Sequence, residues 1–598
     1  MTNRDPPCQR RFHDLRTVSE TRDQFMSFHD PVTVPTQTDL MFFSARHCLG
    51  AILIFVATLS VGTAFGQSAA APDNAAAMPS FDILEFQIEG NSVLAVGAIE
   101  RAVTPFLGER KQMDAVEAAR VALEKAYQGA GFLTVFVDVP EQRVDSGVVV
   151  LKVIEGRVER LKVSGSRYFS QGYIREKVPE LADGKVPNFN EVQKQLALVN
   201  RTEARRVQPI MRAGKAPGTV ETELKVDDKL PLTGSVELNN RAAADTKPLR
   251  LSATARYENL FQLDHSVSLT LATAPERPSQ SLVVSLNYSI PGSDQATWVA
   301  YALYSNSAVA AIGDVNVLGK GTTLGFRYVR PVTSAADESH SVSLGLDFKD
   351  LTEDTRVGDS VISTPLRYLP LQLGYNGTLD HGEQRQTQLS LQTAVALRPI
   401  LQRNVVCPGT TGTADQFACK RQGGDGGFAT LRGDVRYTMP VASAGSVHLR
   451  LGAQVATGPV PSGEQFTIGG AETVRGYYEA EGAGDRGVLG SIEWRSVDLS
   501  ARLPAWFSQG LGGEPDPASR GLFSQTYALA FVDLARAYTF EPATGQAPHI
   551  SLAGAGFGLR AKLGKSVAGE FDLAWPLKTT TATEARNARA HLKLAVEF

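Results

Sequence analysis

Two periodicities divide this chain. Between about residues 83 and 229, short alternating runs flank stretches with helical spacing. Beyond Pro231 the helical spacing disappears, and polar and apolar residues alternate as far as Phe598. The first region holds two modules of similar grammar. One opens with a strand at Ile83–Ile88 and continues through Glu89-Gly-Asn-Ser. Its main helix is read from Asp114, with Asp114 and Glu117 as a capping box and Val116, Ala119, Leu123 and Tyr127 on one face. Gly129 and Gly131 end that helix, and strands follow at Thr134–Val139 and Gly147–Val153. The second module repeats the order: a strand at Arg160–Val163, a turn at Gly165, helical patterns over Ser170–Leu181 and Phe189–Asn200, and strands near Arg206–Met211 and Thr219–Val226. Asn188 with Glu191 again reads as a capping box. Each module is an α+β unit of βααββ order, whose exposed edge strand can accept an extended peptide.

In the second region Val267, Leu269 and Leu271 alternate with Ser266, Ser268 and Thr270, and Val342, Leu344, Leu346 and Phe348 with Ser341, Ser343, Gly345 and Asp347. Such runs start near residues 234, 248, 264, 280, 296, 321, 340, 363, 385, 428, 446, 486, 525, 549, 565 and 587. The count is sixteen, with about 23 residues per strand, enough for about ten in a membrane plus a turn or loop. An all-β, 16-stranded antiparallel transmembrane barrel is therefore expected, closed with both ends on one side. A large soluble β-sandwich is the competing reading. The number of strands and the final strand ending on Phe598 argue against it.

One loop in this ladder stands out. After the eleventh strand comes Ile468-Gly-Gly-Ala-Glu-Thr-Val-Arg-Gly-Tyr-Tyr, the sixth loop on the outer side. Strand phase turns Ser491, Glu493 and Arg495 into the lumen while Ile492 and Trp494 face lipid, and it turns Phe531 and Asp533 inward against Val532 and Leu534. If the loop (Val474, Arg475, Gly476, Tyr477) folds inward, Arg475 can reach Asp533 or Glu493, since its planar fork bonds a carboxylate in two places and stays charged. Gly469, Gly470 and Gly476 would permit the backbone path. A solvated loop charge with no partner is the plain alternative. The inward arrangement points to a gated pore rather than an enzyme.

Composition narrows the class. The chain has 598 residues and a formal net charge of −3, so no nucleic-acid partner is expected. Mean hydropathy is −0.12, which suits a barrel as well as a soluble protein because only alternate residues face lipid. Leu49–Phe65 is strongly apolar, and Ala64-Phe65-Gly66 offers small residues at a cleavage site before Gln67, as in a secretory signal. A membrane anchor is the alternative, and the run is short for a bilayer span. Residues 1–40 are polar and charged, unlike a signal n-region, which points to Met41 as the start. Of the 4 cysteines, Cys8 and Cys48 precede the cleavage point, and Cys407 and Cys419 read as a disulfide in the fifth outer loop. No metal spacing, nucleophile constellation or phosphate loop is found, so neither an enzyme nor a cofactor is expected. The expected divisions are 1–66 extension and signal (signal about 41–66), 67–80 linker, modules at 81–156 and 157–229, and barrel at 230–598.

Several strings carry a family resemblance. Ala126-Tyr-Gln-Gly-Ala-Gly-Phe, Val139-Pro-Glu-Gln and Gly147-x-x-x-Leu-x-Val-x-Glu-Gly156 resemble the first POTRA domain of two-partner secretion transporters (TpsB; the ShlB/FhaC/HecB haemolysin secretion/activation family of the outer-membrane protein 85 superfamily). Asn200–Asp227 resembles the second such domain, and Val236-Glu-Leu-Asn-Asn and Phe466-Thr-Ile-Gly-Gly are also similar. The resemblance implies a Gram-negative outer-membrane location with periplasmic POTRA domains that capture an unfolded, haemolysin- or adhesin-like exoprotein, and a barrel that passes it outward without ATP. It also makes Arg475 the loop-six arginine and Asp533 its barrel-wall partner. Outer-membrane lipid, lipopolysaccharide and the barrel-assembly machinery are the further expected partners, with Phe598 as the assembly signal. Ala535 stands where the family often has Gly, and Gln67–Ser80 lacks the helical pattern of the plug helix found in some members. The alternatives are a barrel-assembly factor and a passive porin. The periplasmic modules would serve no purpose in a porin.

Overall fold

The computed structural model describes residues 80–598 except 145, 293–294, 313–314, 333–336, 358–359, 399, 402, 408–411 and 503–522. The expected signal, linker and start at Met41 lie outside the described residues. The first module comprises β1 (Phe81–Ile83), β2 (Glu85–Glu89), α1 (Val96–Val103), β3 (Gly108–Lys111), α2 (Met113–Gly129), β4 (Val135–Asp138) and β5 (Val148–Glu155). Its sheet runs β2-β5-β4, parallel between β2 and β5 and antiparallel between β5 and β4, with β1 and β3 paired separately. Val116, Ala119, Leu123 and Tyr127 are the buried residues of α2, set against Val135, Val149 and Leu151 of the sheet.

The second module repeats the sheet. It has β6 (Arg157–Ser164), α3 (Gln171–Lys177), α4 (Phe189–Val199), β7 (Arg205–Ala213) and β8 (Thr219–Asp228), in order β6-β8-β7 with the same parallel and antiparallel pairings. Two helix starts depart from the sequence reading. Helix α2 is capped at Gln112, so Asp114 lies in the first turn, where its charge complements the helix dipole. Glu117 is engaged by Arg120 at 2.7 Å instead of closing a capping box. Asn188 does cap α4 by accepting from the Asn190 N–H, but Glu191 pairs with Lys194.

The barrel follows without a break. Its strands are β9 (Leu232–Asn239), β10 (Arg250–Leu260), β11 (His265–Thr273), β12 (Leu282–Pro291), β13 (Thr297–Ile312), β14 (Val315–Val332), β15 (Glu338–Val357), β16 (Ser360–Tyr368), β17 (Pro370–Asp380) and β18 (Gln386–Ala396). Within the fifth outer loop lie β19 (Asn404–Val406), β20 (Thr413–Asp415) and α5 (Gln416–Lys420). Then come β21 (Phe428–Pro440), β22 (Ser446–Ala456), the loop hairpin β23 (Phe466–Ile468) and β24 (Gly482–Gly484), and β25 (Arg486–Arg495), β26 (Phe523–Tyr538), β27 (His549–Leu563), β28 (Val567–Pro576) and β29 (Arg589–Glu597). The sheet closes, with β29 pairing antiparallel to β9. Both β16 and β17 pair with β15, at Val357–Lys349 and Leu346–Glu338 respectively, so they are two segments of one strand and sixteen places surround the lumen.

Alternation supplies the two faces. Leu269, Leu344, Ile492 and Leu534 are exposed on the outer wall, whereas Asp347, Glu493 and Asp533 are buried inside. The sixth strand begins at Val315 rather than near 321, because Gly319 and Gly321 break the alternation from which the sequence reading took its start. Strands β13 to β15 run to 16, 18 and 20 residues, beyond the ten or so that a span needs.

The second module is latched to the first inner turn of the barrel. Arg205, with its side chain fully buried, donates to both carboxylate oxygens of Asp264 at 3.0 Å and to the Val199 carbonyl, and its guanidinium stacks on Phe169 at 4.5 Å. Gln262 accepts from the Ser170 N–H at 2.8 Å and donates to the Tyr168 carbonyl. Asp264→Ala strips a buried guanidinium of its partner, a loss of about 3 kcal/mol. Limited proteolysis of the full chain in detergent should then cut the residue 229–232 junction faster, with an unchanged digestion rate as the contrary result.

Candidate functional site

The sixth outer loop, residues 457–485, does not extend away from the barrel. Its strands β23 and β24 pair through Phe466↔Gly484 and Ile468↔Gly482, and the segment between them lies against the inner wall. Phe466, Ile468, Val474 and Tyr477 form a buried cluster with Leu489, Ala535, Ala537 and Leu552 of the wall. Positive φ at Gly469 (100°), Gly470 (106°) and Gly476 (100°) lets the chain turn twice within this space.

Arg475 is 6% exposed. Its Nε donates to Asp533 Oδ2 at 2.8 Å and its Nη2 to Asp533 Oδ1 at 3.0 Å, while its backbone N–H reaches Oδ2 at 3.1 Å. The remaining Nη1 donates to Glu493 Oε2 at 2.6 Å. The guanidinium plane stacks on the Phe531 ring with a separation of 3.4 Å. Both acids left open by strand phase are thus engaged at once. Ser491 donates to Asp533 at 2.6 Å and Arg495 to Glu493 at 2.6 Å, which fixes each carboxylate. The Gly476 N–H donates to His591 Nε2 at 2.9 Å, and the Tyr477 hydroxyl sits 3.0 Å from the Ala553 carbonyl and 2.9 Å from that of Lys578.

Several contributors escaped sequence reasoning. In β27 the inward positions Gly554, Gly556 and Gly558 form a strip without side chains. A Cβ at Gly554 would lie 2.1 Å from the Arg475 carbonyl, and one at Gly556 would lie 2.7 Å from the Phe531 ring. Their period-two spacing in Ala553-Gly-Ala-Gly-Phe-Gly was the available signal. Asp485, fully buried at the foot of the loop, accepts from the N–H groups of Val460 at 3.0 Å and Phe540 at 2.6 Å, and from Arg421 of the fifth loop. That loop is closed by the Cys407–Cys419 disulfide, with Cα atoms 5.2 Å apart. The loop-six tip also touches both strands that close the barrel. Arg241, just past β9, pairs with Glu479 at 3.3 Å, and Arg589 of β29 stacks on Tyr478 at 3.4 Å. Burial pushes the Glu479 carboxyl up from its ordinary range, with Arg241 pulling it the other way. Phe598 ends the seam, its backbone exchanging two hydrogen bonds of 2.9 Å with Gly234 and its ring 72% exposed.

Among the described residues no group of His, Cys, Asp or Glu could hold a metal ion. The lumen beside the loop holds a cavity of about 560 Å³, faced by Arg436, Arg450 and Arg560 and by Glu472, Glu570 and Asp572. The arrangement is a charged, partly filled conduit.

The comparisons agree with that geometry. Residues 81–156 match the POTRA domain model of ShlB type, and residues 218–500 match the model of haemolysin secretion/activation protein ShlB/FhaC/HecB. The chain belongs to the ShlB/FhaC/HecB haemolysin secretion/activation family. The match takes in Arg475 and Glu493 and stops short of Asp533. The outer membrane transporter CdiB of Dickeya dadantii (strain 3937) is 22% identical over 449 residues, covering 71% of this chain and 75% of that protein. Among solved structures, CdiB from Escherichia coli aligns with a TM-score of 0.54 and 17% identity, over 89% of this chain and 93% of that one. BamA from Haemophilus ducreyi lacking POTRA domains 1–3 aligns with a TM-score of 0.50 and 14% identity, over 87% and 100%. This family member is an outer-membrane transporter whose POTRA domains stand in the periplasm.

The two acids of the clamp are unequal. Asp533 receives three bonds from Arg475 and Glu493 one. Asp533→Ala should cost about 3–5 kcal/mol and Glu493→Ala less, because only the first leaves the buried fork largely unpaired. The temperature at which the barrel loses its folded gel mobility measures both, and equal shifts would contradict the ranking.

Proposed function

We propose that this transporter captures an unfolded exoprotein with its POTRA pair and passes it through the barrel, with loop six as the element that must move. The observation carrying the reading is the buried Arg475 clamp. A wide lumen needs no such fastening for stability alone, whereas a loop that fills the conduit needs a latch that can be released.

The capture step has physical support in the sheet edges. The outer edge of β4 is capped by α2, since Arg120 donates to the Val137 carbonyl at 3.2 Å and the Val137 N–H donates to Glu124 at 3.3 Å. In the second module β6 is covered by residues 183–185, with Leu161 N–H donating to Asp183 at 2.6 Å and Val158 N–H to the Lys185 carbonyl at 2.8 Å. The β7 edge is closed near Val207 by Asn200 and carries Pro209, which offers no N–H. Among the described residues β2 (Glu85–Glu89) is the edge left open, suited to adding one strand of an extended chain. No step requires a nucleotide or a cofactor.

Arg475→Ala tests the gating role. In cells co-expressing this protein with a candidate exoprotein that the wild type exports, secretion into the medium should fall about tenfold or more, a loss of at least ~1.4 kcal/mol of coupling. Channel conductance should rise and the barrel should remain assembled. Unimpaired secretion would refute the role. A general loss of other outer-membrane barrels, with secretion spared, would favour a barrel-assembly function.

A further inference from the structure

The outer wall behind the clamp bears charges that transport does not use. Alternation along β25 turns Trp494, Ile492 and Val488 outward, and along β26 it turns Val532 and Leu534 outward; all five are exposed, as lipid-facing residues should be. One step further toward the extracellular end, the same columns present Arg486, opposite Tyr538, and Arg536, opposite Val488. The Arg486 guanidinium lies over the Phe540 ring at 4.7 Å and the Tyr538 ring at 5.6 Å, and that of Arg536 lies over Tyr538 at 5.0 Å. His549 of β27 flanks Tyr538 at 6.0 Å between ring centroids. Neither arginine meets a carboxylate among the described residues, and Nε of Arg536 is buried with no hydrogen-bond partner. In the lumen Arg436, Arg450, Arg475, Arg495 and Arg560 each pair with an acid.

Height fixes what could pair with them. From Trp494 to Arg486 the strand climbs about 26 Å at ~3.3 Å per residue, or about 20 Å along the membrane normal at a tilt of ~40°. With Trp494 at the inner interface of a ~25 Å apolar band, Arg486 lies near the outer rim, and Arg536, opposite Val488 and about 5 Å lower, extends its long side chain toward it. Cations held at that depth and facing lipid need an anion that the lipid itself carries. In the outer leaflet that anion is the phosphate of the glucosamine headgroup of lipopolysaccharide.

We propose that Arg486 and Arg536 form a binding site for a lipopolysaccharide headgroup phosphate, with Tyr538 and Phe540 holding the two guanidinium planes in place. Two forks converging on one phosphate give bidentate, charge-assisted bonds that a lone surface lysine cannot match. The site also adjoins the loop-six anchor. Arg486 follows Asp485, and the Asp485 N–H donates to the Tyr538 carbonyl at 2.8 Å, so an occupied outer site braces the foot of the inner loop.

The test uses the full chain purified in detergent, with diphosphoryl lipid A as probe and native mass spectrometry to count retained copies. The wild type should retain lipid A, and R486Q/R536Q should retain about tenfold less. R330Q, which removes an exposed arginine at the periplasmic end of β14, should bind as the wild type does. Dephosphorylated lipid A should be held no better by the wild type than by the double variant. Neither inorganic phosphate nor phosphatidylglycerol vesicles should displace the probe. Equal retention by wild type and double variant overturns the site, and so does displacement by phosphatidylglycerol as effective as that by lipid A itself. Folded gel mobility checks each variant. If the double variant fails to fold, R486Q alone replaces it, with a loss of about threefold expected and no loss overturning the proposal.

Discussion

A guanidinium inside a barrel wall is stable only where carboxylates meet it, and the geometry around loop six follows from that requirement. Arg475 spends its donors on Asp533 and Glu493, and its flat face rests on Phe531. For the fork to reach them, the loop backbone must lie almost on the wall. This is why β27 is bare at Gly554 and why the loop turns through Gly469, Gly470 and Gly476. The second rank of partners holds the acids still: Ser491 on Asp533 and Arg495 on Glu493. Removing Arg475 leaves two buried carboxylates without their shared cation, and removing Asp533 leaves the buried fork largely unpaired.

The same loop is tied down at its foot and at its tip. Asp485 gathers backbone N–H groups from two outer loops and an arginine from a third, so the fifth, sixth and seventh loops share one buried carboxylate. The tip spans the strands that close the barrel. The ladder between β29 and β9 runs only from Lys593↔Asn239 to Glu597↔Ser235, shorter than the β9–β10 ladder from Asn239↔Arg250 to Leu232↔Tyr257. Above it Asn240 extends the pairing with its side chain, donating to the Ala590 carbonyl at 2.8 Å and accepting from the Leu592 N–H at 2.9 Å. Arg241 and Arg589 then grip Glu479 and Tyr478 from either side. A movement that withdrew the loop would therefore alter the pore and the closing seam together.

The strand pattern and the wall acids were legible because a barrel between lipid and water imposes a period of two that few other constraints disturb. Ile492 against Glu493 and Val532 against Asp533 could be placed by parity alone. What failed to show depended on contacts between distant segments. Nothing near Asp485 marks it as a hub, since its partners at Arg421, Val460 and Phe540 come from three separate loops. The supposed capping box at Asp114 failed for the opposite reason. The spacing was present, but Arg120 one turn on offered Glu117 a stronger, charged partner. The glycines of β27 sat in plain view, yet glycine in a strand ordinarily signals weakness, and only the loop lying over them explains their spacing.

Strands β25 and β26 each serve two solvents at every step, which makes register the deepest constraint on this site. Arg486 opposite Tyr538 and Glu493 opposite Phe531 belong to one ladder, so the outer arginines and the inner clamp are set by the same hydrogen bonds. A slip of one residue in either strand would send Glu493 or Asp533 into lipid and bring Ile492 or Val532 against Arg475. No such state can be repaired locally, because it would strand charges on the apolar side and leave the guanidinium unpaired on the other. The clamp therefore depends on correct assembly of the barrel and also reports on it. A chain in which Arg475 has found both acids is a chain whose twelfth and thirteenth strands are in register.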